Sequence, residues 1–371
     1  MNFLTLLIMK LWILAFTLLP LLGTVYVCWH IFRIVPLTPG DKLLCSVLFG
    51  LGLVMMVCSF VFDIDALPFP LAVTMYQGGA SWIFWLLYAV LIFLVLDLGR
   101  LFRVVPDTFL TNSWAGTLTA LGLMLVIFIY GNIHYYNKER VELTVKTDKP
   151  LPKPLKIVMA SDLHLGYVNR KAEFQRWLDM IYMEKPDLVL IAGDIIDGSH
   201  HAVRVQQMEQ MFVQLGCPVY ACLGNHEYIR GVDESVAFYH DAGIQLLRDG
   251  VAHTQGINII GRDDDSNKGR MSLEELSFRC DPARFTILLD HQPYRLEEAQ
   301  KAGVDFQFSG HTHYGQMWPL SWITDAIFED AFGPYKKGNT QYYVSSGLGI
   351  WGSPFRVGTR SEFVVLTLLP R

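Results

Sequence analysis

Five short segments carry residues whose types do chemistry together: Ser161-Asp162-Leu163-His164, Gly193-Asp194-Ile195-Ile196-Asp197, Gly224-Asn225-His226-Glu227, Asp290-His291-Gln292-Pro293 and Gly310-His311-Thr312-His313. Carboxylate, imidazole and amide oxygen are the hard and borderline donors that suit divalent first-row metals. A lone Gly-Asp or His-x-His is more often structural, but five such segments in succession point to a metal centre. In Asp-x-His or His-x-His on an extended backbone, alternate side chains point to the same side, so both can enter one site. Gly193, Gly224 and Gly310 are expected to let the chain turn beside a metal where a side chain would crowd it.

The elements that must position these residues read as alternating strand and helix. Strands are expected at 141–146, 157–160, 188–192, 219–223, 257–260, 286–289, 306–308, 342–344 and 363–368, with Pro150, Pro152 and Pro154 stiffening the entry. Phe174, Trp177, Leu178 and Ile181 recur at helical spacing, as do Val205, Met208, Phe212 and Leu215. Each metal-type segment follows a buried apolar run, where open α/β sheets expose their ligand crevice. The strands outnumber what one parallel sheet needs, so two stacked sheets flanked by helices are expected.

The first third of the 371-residue chain is different: residues 1–136 hold only 5 Lys+Arg and 5 Asp+Glu. Spans are expected at 11–32, 43–62, about 80–98 and about 114–133, the third starting late because Pro68, Pro70, Gly78 and Gly79 precede it. The apolar run at the start is too long for a signal peptide and lacks a small-residue cleavage site. Four spans divide the chain into a membrane anchor, 1–136, and a catalytic domain, 137–371. Arg33 and Lys42 follow the first span and Arg100 and Arg103 the third, whereas the loop between the second and third has Asp63 and Asp65. The positive-inside rule then puts the basic loops in the cytoplasm and the C-terminal domain on the extracytoplasmic face of the cell membrane, although Lys10, Lys138 and Arg140 pull the other way. No span shows a central pair of opposite charges, which favours an anchor over a transporter. The net charge of −5 excludes nucleic acid as the main partner. Cys28, Cys45 and Cys58 lie in apolar segments and Cys217, Cys222 and Cys280 lack zinc spacing, so all six are expected to be free thiols.

From about Leu155 to Leu368 the five segments together resemble the calcineurin-like metallophosphoesterase superfamily, and the Ser-Asp-Leu-His-Leu-Gly opening resembles its membrane-associated bacterial branch. The resemblance implies a four-layer α/β/β/α sandwich behind the four-helix transmembrane region, with two divalent ions (Mn, Zn or Fe) as cofactors. By the same resemblance Asp162, His164 and His313 hold one ion, Asn225, His291 and His311 the other, and Asp194 bridges both. His226 is implied to face the scissile phosphate rather than a metal. Glu227, Asp290 and Tyr314 depart from the commoner pattern and leave the ligands intact.

The residues by themselves lead to the same mechanism, a metal-activated water attacking a phosphoester or pyrophosphate in line without a phospho-enzyme. Asp197, Glu227 and Asp290 are expected to accept from ligand imidazoles. His200 and His201 either reach substrate or are exposed loop residues, Asp263 to Asp265 form either a hard-metal cluster or a solvated turn, and Arg356 and Arg360 either bind phosphate or pair with surface carboxylates; all are left out of the site. A receptor or scaffold without activity is the competing class, and a missing ligand would favour it. Trp318, Trp322, Ile323, Ile327, Phe328, Phe332, Ile350, Trp351 and Phe355 are either ordinary core or a rim that rests on the lipid bilayer and takes an amphiphilic, lipid-linked substrate.

Overall fold

Apolar residues at every position of short runs, rather than alternating ones, set the architecture of the second half of the chain. Leu188 to Ala192 is buried throughout, as a strand covered on both faces must be. The structure, a computed structural model, describes the backbone of residues 3–229 and 231–371 and the side chains of those from residue 18 onward. Its two compact units are Met1–Gly131 and Asn132–Arg371, a division five residues before the one expected.

In the first unit lie α1 (Phe3–Ile34), α2 (Pro39–Val61), α3 (Phe69–Leu101) and most of α4 (Trp114–Tyr136). Three of these, α2, α3 and α4, are long and apolar enough to cross a membrane. The side chains of 11–17, in the expected first span, lie outside the described residues, and the described apolar stretch there is Leu18–Ile34. The third helix starts at Phe69 rather than near 80. Pro70 falls in its first turn, where no N–H is needed. Gly78 and Gly79 do not break it. A Cβ on Gly79 would come 2.8 Å from the Met56 backbone, so its absence lets α2 and α3 pack closely. Near the ends of α1 and α3, His30 Nε2 lies 3.0 Å from Asp97 Oδ2, and the Tyr26 hydroxyl donates to that oxygen at 2.7 Å, an ionisable pairing that the span pattern did not show.

Among the described residues the second unit has twelve strands: β1 (Lys138–Thr147), β2 (Leu155–Ala160), β3 (Leu188–Ala192), β4 (Val219–Cys222), β5 (Gln245–Leu246), β6 (Gly250–Thr254), β7 (Ile257–Gly261), β8 (Phe285–Leu289), β9 (Phe306–Ser309), β10 (Gly333–Lys337), β11 (Thr340–Val344) and β12 (Ser361–Pro370). They form two six-stranded sheets, ordered β1-β12-β2-β3-β4-β5 and β10-β11-β9-β8-β7-β6. Ile157, Met159, Leu188 and Leu190 of the first sheet pack with Ile257, Ile287, Phe306 and Phe308 of the second. The alternate residues Val158, Val189 and Ile191 face outward onto Phe174, Trp177, Phe212 and Phe238 of the helical layer. Ile260, Leu288 and Tyr342 do the same on the far side, against Leu273, Leu276 and Leu296. Helix, sheet, sheet and helix are thus stacked around three apolar layers.

The strands absent from the sequence reading, β5, β6 and β10, are all sheet edges. An edge strand has one neighbour and weak burial, so it lacks an apolar run; Pro334, Lys336 and Lys337 in β10 are typical edge residues. The helix expected around 205–215 divides into an α-helix, His200–Val205, and a 3-10 helix, Met208–Leu215, at the left-handed Gln207.

Candidate metal centre

β2, β3 and β4 run parallel, as do β8 and β9, so within each sheet the strands deliver their C-terminal loops to one edge. The first two loops are zipped together: the N–H groups of Asp162 and His164 donate to the carbonyls of Gly193 and Asp194 at 3.1 and 3.0 Å. All seven residues expected to bind metal meet there. His164 Nε2 lies 3.0 Å from His313 Nε2, and His313 Nε2 lies 3.4 Å from Asp162 Oδ1. Asn225 Oδ1 faces His311 Nδ1 at 2.7 Å and His291 Nε2 at 3.2 Å. Asp194 Oδ2 stands between the two sets, 3.7 Å from His164 Nε2 and 3.1 Å from His291 Nε2. Asp162, His164 and His313 are one group able to hold an ion, and Asp162, Asp194 and His291 are another.

The backbone that brings them together is not the extended one expected. Asp162, His164, Asp194, His311 and His313 all have positive φ, between 44° and 71°. The loops curl at the ligands themselves, and such left-handed conformations cost about 1–3 kcal/mol each unless the surroundings enforce them. The glycines act as expected through close approach: a Cβ on Gly310 would come 2.2 Å from Asp162 Oδ2, and one on Gly224 would come 2.2 Å from Asp194 Oδ1.

The donor set fits divalent cations. The pairs formed with neighbouring histidines outweigh burial and hold the Asp162, Asp194 and Asp197 carboxyls below the usual carboxylate range. Burial pushes His313 down to about 3, and burial with His291 alongside pushes His311 down to about 4, so both imidazoles offer free lone pairs at neutral pH. His164, against the pull of burial, is held up at about 10 by Asp162 and Asp197, and His291 is raised by Asp194. Two imidazole nitrogens 3.0 Å apart need a cation between them or a proton on one. His291 Nδ1 lies 2.7 Å from the Ala192 carbonyl, which can only accept, so Nδ1 carries a proton and Nε2, facing Asp194 and Asn225, is the nitrogen on which a cation would replace a proton.

His226 sits beside this cluster. Its ring centroid is 4.5 Å from that of His164 and 6.5 Å from that of Trp351, and its side chain keeps 15% exposure. Its Nδ1 lies 3.4 Å from Asp197 Oδ1, while its backbone N–H donates to Asp194 Oδ1 at 2.9 Å.

Of the three carboxylates expected to orient imidazoles, Asp197 does so, facing His164 Nδ1 at 3.5 Å as well as His226. Glu227 instead accepts four backbone N–H groups, from Asp194, Ile195, Ile196 and Gly224 at 2.7 to 3.1 Å. It lies buried in the helix Asn225–Ile229. Asp290 pairs with Arg262 at 3.4 Å and Arg270 at 3.2 Å. Asp263 and Asp264 are buried rather than solvated, because Arg248, Tyr228, Asn267 and Gln292 satisfy them. His200 and His201 open a short helix, with His200 Nε2 2.9 Å from Ser235 Oγ.

Arg356 contacts no surface carboxylate. It is fully buried and donates to the carbonyls of His313 and Gly349 at 3.0 Å and of Ser346 at 2.5 Å. Arg360 does pair with carboxylates, Glu362 at 2.6 Å and Glu139 at 3.0 Å. The apolar set divides: Ile350 and Phe355 are core, whereas Trp318, Trp322, Ile323 and Ile327 are 44%, 64%, 53% and 52% exposed. Asn169, whose amide holds the carbonyl of His164, gave no sequence signal, being a single Asn in a polar loop.

Two sheets with this loop cluster accord with the calcineurin-like phosphoesterase family, whose model matches residues 155–315. The chain belongs to this family of metallophosphoesterases. It is 32% identical over 258 residues to an uncharacterised metallophosphoesterase of Aquifex aeolicus, covering 66% of this chain and 97% of that one. An uncharacterised metallophosphoesterase of Helicobacter pylori is 32% identical over 236 residues, 62% of this chain; the chain spans 64% of that relative's length. A zebrafish (Danio rerio) transmembrane protein with a metallophosphoesterase domain is 28% identical over 313 residues, 76% of this chain and 71% of that protein.

Proposed function

We propose that this chain is a membrane-anchored hydrolase with a dinuclear metal centre, cleaving a phosphoester or pyrophosphate bond of a lipid-linked substrate with water as nucleophile. Residues 1–136 are the anchor, with four spans, and 137–371 the catalytic domain on the extracytoplasmic face. The observation that carries the reading is the position of Asp194 Oδ2 between His164 and His291, each in its own ligand set. Asp162, His164 and His313 would hold one ion and Asn225, His291 and His311 the other, with Asp194 shared; Mn, Zn and Fe all suit these donors. Two bound divalent ions supply a water of lowered pKa and neutralise charge on the phosphoryl oxygens.

The chain's own groups do the rest. Asp197 faces Nδ1 of His226 and orients the ring, so the other nitrogen is free to contact a phosphoryl oxygen and protonate the leaving oxygen. Trp318 and Trp322, in edge contact at 5.4 Å between ring centroids, and the exposed Ile323 and Ile327 support an amphiphilic substrate, since they follow the His313 loop directly.

The test is hydrolysis of an aryl phosphate monoester and diester by the purified full-length protein with added Mn²⁺. Release of product that depends on Mn²⁺ and disappears in His313→Ala is expected. Full activity in that variant with unchanged metal content would refute the assignment. Protease added to intact cells should release the catalytic domain, and protection until the membrane is opened would reverse its orientation.

A further inference from the structure

The final turn of α4, the last of the membrane-length helices, belongs to the catalytic unit and reaches into it. Asn132 Nδ2 donates to the Pro354 carbonyl at 3.1 Å. One turn on, Tyr135 is 1% exposed and its hydroxyl donates to Asn169 Oδ1. Asn169 is itself fully buried, and the two N–H donors of its amide are shared among three carbonyls: Leu163 at 3.0 Å, His164 at 2.9 Å and Ile350 at 2.9 Å. Lys138, which opens β1, closes the arrangement, donating to the Tyr135 carbonyl at 2.8 Å with its ammonium 3.5 Å from the Tyr135 ring centroid and 3.7 Å from Glu173.

The chemistry of an amide makes these bonds interdependent. Asn169 can bind three carbonyls only with its NH₂ turned towards them, which points its oxygen at Tyr135. Flipped, the amide would set an oxygen against three oxygens and its NH₂ against the hydroxyl. The Tyr135 hydroxyl, by donating to that oxygen, fixes the orientation. The carbonyls so held flank His164, whose φ of 44° needs surroundings that enforce it. The third, Ile350, precedes Trp351, the ring beside His226.

We infer that Tyr135 and Asn169 are positioning residues through which the end of a membrane-spanning helix sets the metal affinity of the His164 side of the centre. This rests on the reading of His164 as a metal ligand. Partners that orient metal ligands typically govern affinity by about 10- to 100-fold.

The experiment is Mn²⁺ titration of metal-stripped full-length protein, followed calorimetrically, with thermal unfolding of the metal-free protein alongside. Tyr135→Phe removes a single oxygen. The matched control is Tyr342→Phe, which also loses a buried hydroxyl bond, to the Leu296 carbonyl at 2.7 Å, on the outer face of the second sheet. Tyr135→Phe is expected to weaken one of two Mn²⁺ sites by about 10-fold or more. Tyr342→Phe should bind Mn²⁺ as the wild type does, although both variants unfold at a lower temperature. Asn169→Leu should weaken the same site, and adding Tyr135→Phe to it should cause no further loss, since the two act in series. Should Asn169→Leu fail to fold, Tyr135→Phe against its control decides alone. Unchanged Mn²⁺ binding in Tyr135→Phe, or equal weakening in Tyr342→Phe, overturns the inference and leaves the metal centre standing. A wild type that binds no Mn²⁺ overturns both.

Discussion

Asp194 Oδ2 lies 3.1 Å from His291 Nε2, while Oδ1 of the same carboxylate accepts the backbone N–H of His226 at 2.9 Å. One side chain therefore faces the second ligand set and also holds the loop that carries the acid candidate. Asp194→Asn replaces one oxygen by a group that donates and does not ligate. Turnover should fall at least about 100-fold, with less than the wild-type metal content by elemental analysis.

His226 also forms a group able to hold an ion, with His164 and Asp194; if it acts as the acid rather than as a ligand, its removal should separate chemistry from metal binding. In His226→Ala, kcat should fall by about 10²- to 10⁴-fold while metal content stays at the wild-type value. Loss of metal in proportion to activity would make His226 a ligand instead.

Glu227 is the anchor of two loops. Its Oε2 accepts from Asp194 and Gly224, and its Oε1 from Ile195 and Ile196. Glu227→Gln turns a donor towards two of those buried N–H groups. Denaturant unfolding of the metal-free protein should show a loss of about 2–6 kcal/mol, because each of the two unsatisfied buried groups costs about 1–3 kcal/mol.

Glu184 accepts from Arg140 at 2.6 Å and pairs with Lys156 at 2.7 Å, and the Arg140 guanidinium beside it holds its carboxyl below the usual glutamate range. A depressed pKa gives stability that is complete above the unfolded value, about 4.3, and is lost as pH falls through the folded value. Glu184→Gln should therefore unfold at a lower temperature than the wild type at pH 7, with the difference shrinking as pH falls below the unfolded value. The effect should stay below about 1 kcal/mol, since Arg140 is 38% exposed and solvent screens the pair.

Trp318 and Trp322 stand at the surface just beyond the His313 loop. A headgroup carried on a lipid should be cleaved at least several-fold faster than the same headgroup free in solution, and Trp318→Ala with Trp322→Ala should remove that preference. Equal rates on both substrates, unaffected by the changes, would reduce the membrane segment to a tether.

What the sequence determined by itself was local. Runs such as 188–192 announce a buried strand because both faces of such a strand must be apolar. Asp, His and Asn directly after those runs announce donors at a crevice, because a loop leaving a buried strand is where the chain first becomes polar. Hence two sheets, the donors gathered at the crevice and three membrane-length helices were legible. The edge strands β5, β6 and β10 were not, since burial on one side leaves no run to read, whereas the edge strand β1 showed itself by alternation. Tertiary structure alone decided what each donor rests on. Asn169 lies 181 residues from Ile350, and Arg356 lies 43 from His313; no periodicity links such partners. The same holds for Glu227, whose carboxylate could have faced an imidazole, a guanidinium or four amides until the fold brought residues 194–196 across it. A buried polar group takes whichever complementary group folding sets beside it, and that choice is made by packing rather than by neighbours in sequence.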